Sequence, residues 1–390
     1  MNANDLAHND LAHDDDRYAR QRLIPSWQQE SLKQATVLVG GAGALGNEVI
    51  KNLALLGIGR LIILDRDTIE VSNLSRTVLF RPADVGRSKA HTAAAAARQL
   101  APDVRTTVLD GDVRQVLGLA RLHRCTLVLG CLDNQGARSF LNRMCLAAQV
   151  PYLDAAMWAM GGEVRAFLTS DGPCFDCTLS AEERSHLWRR YSCSGGFRPA
   201  DDSPPIPTTI TTTAIIAGLL AQEAVRLLCG QSQESGSALV YNGLSGKLYR
   251  TTFNRDPDCP NHTALDWAAV RLLPSPAAET TAREVLELAR PDLDGEPTLD
   301  LGRDVLLAFV CPGCGEREER AHIVRLVDAE ESRCPTCGTL RTSKIASTGT
   351  RDDPWIDRPL AQLGIPDGEV ISVRGREKVL MYEIPVTGDR

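Results

Sequence analysis

Val37-Leu38-Val39-Gly40-Gly41-Ala42-Gly43-Ala44-Leu45-Gly46 runs from a short apolar stretch through a glycine turn into a helix start. Gly41, Gly43 and Gly46 stand at GxGxxG spacing. Glycines let the backbone come close to a phosphate, and a helix N-terminus presents unpaired N–H groups and the positive end of a dipole. The turn, with Ala42, Ala44 and Leu45 between and after its glycines, is expected to bind a nucleotide. Asp65 closes a second apolar run about 20 residues downstream, where a carboxylate can accept from ribose hydroxyls. A glycine turn that serves only tight packing is the competing reading.

Outward from this turn, strand and helix patterns alternate from residue 17 to about 262. Strands are expected at Thr36 to Val39, Leu61 to Leu64 and Leu127 to Leu129. Helices are expected at Leu45 to Leu56, Lys89 to Leu100, Gln135 to Ala148 and Thr212 to Leu228. Such alternation implies an α/β fold, Rossmann-like, with a mostly parallel sheet and helices on both faces. Residues 1–16 hold a near-repeat and three aspartates and read as a disordered acidic tail, in preference to a histidine metal site. Residues 266–299 carry prolines and acidic residues and read as a linker or a small helical joint, 300–345 contain four cysteines, and 346–390 read as a small β-rich element.

The chain has 390 residues, 43% hydrophobic and 24% charged, which suits two or three domains with ordinary cores. No apolar run is read as the roughly 18–20 residues a membrane span needs, and no secretory signal is read at the start. A net charge of −7 argues against general nucleic-acid affinity. Seven of the 12 cysteines fall in short paired motifs of metal-ligand spacing, which points to a reducing compartment and a cytoplasmic location.

The glycine loop alone does not separate NAD from ATP, so an NAD-dependent oxidoreductase is a rival. The residues beyond Asp65 argue against it. They run Asp65-Arg66-Asp67-Thr68-Ile69-Glu70-Val71-Ser72-Asn73-Leu74-Ser75-Arg76, then Gly86-Arg87-Ser88-Lys89, then Cys131-Leu132-Asp133-Asn134 with Arg138 following. Asn, Arg, Lys and Asp gathered in one site are what a triphosphate requires. An NAD site has two phosphates and needs no such cations beyond the second strand.

These strings resemble the superfamily of MoeB, ThiF, HesA and ubiquitin-activating enzymes over residues 17–265, as does the opening Arg17-Tyr18-Ala19-Arg20-Gln21. The resemblance implies that Asp65 holds the ribose, that Asn73, Arg76 and Lys89 hold the phosphates, and that Asp133 organises Mg²⁺. It places Asp67, Leu132 and Asn134 near the nucleotide and sends Arg20 across a homodimer to the partner's ATP. Thr77 departs from the family, where glutamine is common. The implied reaction adenylates the C-terminal carboxylate of a ubiquitin-like or sulfur-carrier β-grasp protein. That carboxylate, with a pKa of about 3.3–3.7, is already a nucleophile at neutral pH and needs no general base. Cations aimed at the α-phosphate and the departing pyrophosphate supply the catalysis.

Two zinc sites are expected. Cys174-Phe175-Asp176-Cys177 and Cys259-Pro260-Asn261-His262 correspond to two cysteine pairs that bind structural zinc in the resembling family, with His262 replacing the last cysteine. Cys311-Pro312-Gly313-Cys314 and Cys334-Pro335-Thr336-Cys337, separated by 19 residues, have zinc-ribbon spacing. Cys193, in the loop Tyr191-Ser192-Cys193-Ser194-Gly195-Gly196, resembles the crossover-loop cysteine that takes the carrier as a thioester in ubiquitin-activating-type enzymes. On that reading the chain is such an enzyme of bacterial style, passing its cargo to a ubiquitin-conjugating-type partner. The alternatives are a sulfur-carrier adenylyltransferase that stops at the adenylate, the oxidoreductase, and an inactive nucleotide-binding module.

Overall fold

The computed structural model of the chain describes residues 16–188, 207–323 and 330–387. Two short helices, α1 (Ala19–Arg22) and α2 (Gln29–Gln34), lead into β1 (Thr36–Gly40) and α3 (Ala44–Leu56). Next come β2 (Arg60–Asp65), α4 (Lys89–Leu100), β3 (Arg105–Asp110), α5 (Val113–Val116), α6 (Leu119–His123), β4 (Leu127–Gly130) and α7 (Gln135–Ala148). The chain continues through β5 (Tyr152–Trp158), β6 (Gly161–Phe167), α8 (Ala181–Trp188), α9 (Ile210–Leu228), β7 (Ser237–Asn242) and β8 (Lys247–Thr252). These strands form an eight-stranded sheet in the order β3-β2-β1-β4-β5-β6-β7-β8.

Five of the strands, β3 to β5 along that order, run parallel, and Val39 lies beside Ile63 on one side and Leu129 on the other. The side chains of β1 and β4 are buried on both faces, as a sheet covered by helices on each side demands. Every expected strand and helix of this half is present within two residues of its expected ends. The remaining strands pair antiparallel. Of these, β8 is exposed along its whole length and carries no apolar alternation, whereas β6 and β7 are mostly buried and were not singled out in the sequence.

Helix α9 is long and apolar enough to cross a membrane by length and composition, contrary to the reading that no such run exists. Here it is a core helix, with Ile216, Ala217, Leu220 and Ala224 packed in the same cluster as Val39, Ile50 and Ile63. Half of its apolar window is buried inside the protein, while Ile210 and Ile215 remain exposed.

The second unit corrects the expected boundaries. Residues 266–299 are not a linker: they supply β9 (Val270–Leu272) and α10 (Ala282–Ala289). Thr281 and Glu284 close a capping box at the start of α10, with Thr281 Oγ1 accepting from Glu284 N at 3.2 Å and Thr281 N donating to Glu284 at 2.7 Å. Strands β10 (Thr298–Val310), β11 (Arg317–Ile323), β12 (Thr342–Gly349), β13 (Val370–Arg374) and β14 (Val379–Glu383) complete a sheet ordered β11-β10-β13-β14-β9, with β12 on β10. The cysteine-bearing segment and the C-terminal element therefore share one sheet and one core, which Leu286, Leu299, Trp355 and Tyr382 help to fill. Long-range pairing of β10 with β13 and of β14 with β9 cannot be read from local sequence.

Candidate active site

Strand order reverses between β1 and β4, so the carboxyl ends of those strands open a crevice where α/β sheets bind ligands. A cavity of about 320 Å³ lies there. Its lining includes Gly41, Gly43, Ala44 and Leu45 from the glycine loop, and Asp65, Asp67, Asn73, Arg76, Lys89, Leu132, Asp133 and Asn134. The structure thus brings into one cleft the residues singled out across about 90 positions of sequence.

The loop needs its glycines for different reasons. Gly41 has φ +99°, and a Cβ there would meet the Cys131 carbonyl at 2.5 Å. A Cβ at Gly46 would lie 1.7 Å from the Gly41 carbonyl, so helix α3 can begin only against a bare backbone. Gly46 and Ala42 shape the turn from behind and do not line the cavity. Gly43 does line it, and a Cβ there would meet nothing, so its face is open to a ligand.

Asp65 accepts from the backbone N–H groups of Ala42 at 2.6 Å and Asp67 at 2.8 Å, tying the end of β2 to the glycine turn. Burial pushes its carboxyl above the usual range, against the pull of those two donors. Lys89 pairs with Asp67 at 2.9 Å. Arg76 donates to the Ser72 carbonyl at 2.6 Å. Asn73 accepts from Glu70 N at 3.0 Å and holds the turn that carries Arg76. Thr77 is buried and donates to the Asn73 carbonyl at 2.9 Å, so the residue that departs from the family pattern is part of that turn. Asn134 caps α7 by accepting from Ala137 N at 2.7 Å, which leaves Asp133 exposed at the cleft's edge.

Arg138 was grouped by sequence with the cations for a triphosphate, but its guanidinium is engaged within the protein. It donates to the Leu132 carbonyl at 2.7 Å, Asp154 at 3.2 Å and the Ala155 carbonyl at 2.9 Å, latching the loop that carries Asp133 onto β5. Asp154 also accepts from Tyr152 Oη at 2.8 Å and Arg165 Nε at 3.1 Å. Burial alone would raise the Asp154 carboxyl, but Arg138 and Arg165 outweigh it and hold the group below the ordinary range. Sequence reading missed Asp154 and Arg165. Their signal was charge within two strands otherwise rich in buried residues, one acid in LDAAM and an acid and an arginine in EVRAF.

The opposite wall is formed by Arg66, Gly111, Asp112 and Val113. Asp112 receives a two-pronged contact from Arg114, 2.7 Å on each oxygen, and a third from Arg66 at 3.1 Å. Burial opposes ionisation there, and the guanidiniums outweigh it. Arg20, exposed on α1, does not line this cleft. Cys193 lies outside the described residues. Cys131 does line the cleft, and burial raises its thiol above the usual value, which disfavours the thiolate.

Both cysteine motifs close into four-ligand groups whose donor atoms lie within 4.8 Å of one another. In the first, Cys174 Sγ is 3.6 Å from the sulfurs of Cys177 and Cys259, and Cys177 Sγ is 3.2 Å from His262 Nε2. Zn–S bonds of about 2.3 Å give a tetrahedron with edges of about 3.8 Å, so the donor set fits zinc. His262 Nδ1 lies 3.2 Å from the Ser170 carbonyl, which directs the proton there and leaves Nε2 as the ligand. The second group brings Cys311 within 3.4 Å of Cys337 and Cys314 within 3.6 Å of Cys334.

Comparison with known proteins rests on the same stretch of chain. The ThiF family model matches residues 16–261. The chain belongs to the ThiF family. As a ThiF-family protein it is 31% identical over 250 residues to the molybdopterin-synthase adenylyltransferase of Escherichia coli, covering 62% of this chain and 94% of that one. It is 32% identical over 258 residues to the adenylyltransferase and sulfurtransferase MOCS3 of Mus musculus, of which the match spans 51%. The SUMO-activating enzyme subunit uba-2 of Caenorhabditis elegans is 36% identical, but over only 157 residues and 27% of its length. The ThiF fold is also seen in the crystal structure of E. coli MccB with ATP, at 20% identity and TM-score 0.52, over 65% of this chain and 75% of that one.

Proposed function

We propose that this ThiF-family chain is an ATP-dependent adenylyltransferase acting on the C-terminal carboxylate of a sulfur-carrier or ubiquitin-like β-grasp protein. The observation that carries this reading is one cleft, at the switch point of the sheet, that joins a glycine loop to Asp65, Asn73, Arg76, Lys89 and Asp133. Long matches to two adenylyltransferases support it.

The carboxylate oxygen attacks the α-phosphorus. A P–O bond forms to the carrier, the bond to the β-phosphate breaks, and pyrophosphate leaves with the electron pair. The attacking anion must approach an anionic phosphate, and charge builds on the leaving group. Arg76 and Lys89, with Asn73, face the phosphates and offset both costs as fixed donors in a partly enclosed site. Lys89 is pre-positioned by Asp67. Gly43 gives the phosphates a backbone without side-chain obstruction, and Asp65 receives the ribose. Mg²⁺, when bound, supplies further charge on the phosphate oxygens, and Asp133 is the residue assigned to hold it. The ion would take other ligands from phosphate and water, as Mg²⁺ commonly does.

Zinc in the two cysteine groups is assigned a folding role, since each ligand set is complete and leaves no open position for chemistry. A zinc-ribbon identity for residues 311–337 belongs to this proposal. So do a homodimer and a cytoplasmic location. Arg20, exposed and away from its own cleft, is suited to reach a partner's.

The test is ATP–pyrophosphate exchange dependent on a glycine-ended β-grasp protein, abolished in Arg76→Ala. NAD binding without exchange would favour the oxidoreductase instead. Thioester transfer to Cys193 is the second reading, favoured only by the shorter match to uba-2. A thiol-releasable covalent adduct that Cys193→Ala loses would raise it above the sulfur-carrier reading. Exchange without an adduct places the enzyme at the adenylate.

A further inference from the structure

The second sheet lies beyond the family match, yet it touches the wall of the cleft. The contact centres on the turn before β13. Gly368, at φ +77°, presents its carbonyl to the first turn of α6, accepting from Ala120 N at 2.7 Å. The Glu369 carboxylate accepts from Leu119 N at 3.4 Å. Approach is backbone on backbone, since a Cβ on Gly118 would fall 2.2 Å from the Gly368 carbonyl carbon.

Glu369 is 5% exposed and is paired with Arg303, from β10, whose side chain is 10% exposed. Arg303 also donates from Nη1 to the Arg114 carbonyl at 3.3 Å. Arg114 is the residue that grips Asp112 with both prongs, and Asp112 and Val113 line the cleft. A set of partly buried contacts therefore runs from Glu369 through Arg303 to the Arg114 backbone, whose side chain in turn holds Asp112. Arg124 pairs with Glu383 of β14 at the rim of the same contact.

We propose that the second sheet is a brace for the nucleotide cleft, with Glu369 and Arg303 as positioning residues that hold the Gly111–Val113 wall through Arg114. The inference rests on the reading of this cleft as an ATP site. The brace acts on a wall that borders the ligand and on no group assigned to the phosphates. Its loss therefore changes nucleotide affinity and spares the chemical step. Binding energies couple reciprocally, so nucleotide must in turn tighten the docking of the second sheet.

The experiment uses the full chain, with wild-type exchange established first; absence of exchange in wild type would refute the ATP reading itself, independently of the brace. Glu369→Gln and Gly118→Ala, which disturb the contact from opposite sides, are then compared with wild type. The expected result is a KM for ATP raised fivefold or more with kcat within twofold. Loss of folded protein alone would instead lower apparent kcat at unchanged KM. In parallel, hydrogen exchange is followed on the wild-type chain with and without ATP. Slower exchange at residues 118–123 and 366–371 on adding ATP is expected. An unchanged KM in folded variants, or no ATP-dependent protection in wild type, overturns the brace.

Discussion

Replacing Asp154 by asparagine keeps its shape but removes the negative charge that two guanidiniums share. Asp154 is fully buried, and the side chains of Arg138 and Arg165 are 11% and 10% exposed. Removing one partner from a buried ion pair costs about 3–5 kcal/mol, because a charge is left uncompensated. Here two cations face an amide that also turns a donor toward them. For a unit the size of the family domain this corresponds to a fall in unfolding midpoint of roughly 10 °C. The pH dependence follows from the direction of the shift. Asp154 is held below the ordinary carboxylate range, so its contribution is complete above the unfolded value of about 3.9 and is lost as pH falls through the lower folded value. Wild type and Asp154→Asn should therefore differ by a constant amount between pH 5 and 8 and converge below about pH 4. Thermal unfolding monitored by circular dichroism across that range is the assay. A loss under about 1 kcal/mol at pH 7, or a difference that widens toward acid, would refute the assignment of Asp154 as the counter-ion of both arginines.

Asp133→Ala should abolish ATP–pyrophosphate exchange with an unfolding midpoint unchanged within error, because Asp133 is exposed and, among the described residues, its side chain accepts from the neighbouring Asn134 at 3.3 Å. Gly46→Ala should prevent nucleotide binding and lower stability together, since the added carbon lies within bonding distance of the Gly41 carbonyl; calorimetric titration with ATP checks this. Elemental analysis should find two zinc ions per chain. His262→Ala should lose one of them, and Cys334→Ser the other. Retention of both in either variant would show that the corresponding ligand set is wrong.

Much of the candidate site was legible because chemistry constrains residue type at each position. A turn that a Cβ would block must be glycine, and Gly41 and Gly46 were found for that reason. Asp65 stood out at the end of the second strand, and the resemblance to the family implied the roles of Asn73, Arg76, Lys89 and Asp133. What those groups do with their hydrogen bonds was not legible. Arg138 looks like a phosphate ligand in sequence and is a latch in space, because its partners come from β5, which no local pattern links to α7. Asp154 and Arg165 were passed over as charges in apolar strands, although a buried charge needs a partner and each was evidence for the other.

The second unit was misread for a similar reason. Thr281 and Glu284 carried a capping-box signal that marks a helix, and it was overlooked among prolines and acidic residues. Spacing within each cysteine pair is local and was legible, whereas Cys174 and Cys177 meet Cys259 and His262 across 85 positions.

By itself the sequence determined the parallel half of the first sheet, the glycine loop and the short cysteine pairs, each from local stereochemistry or from periodicity within a single element. The roles of the polar set around the loop, and the joining of Cys174 and Cys177 to Cys259 and His262, came from the resemblance to the family. Tertiary structure alone decided that β9 to β14 share one sheet, that Arg138 is held by Asp154, and that Glu369 docks on the first turn of α6. Those contacts join residues from 16 to 250 positions apart, and their energies depend on burial that exists only once the two sheets have packed.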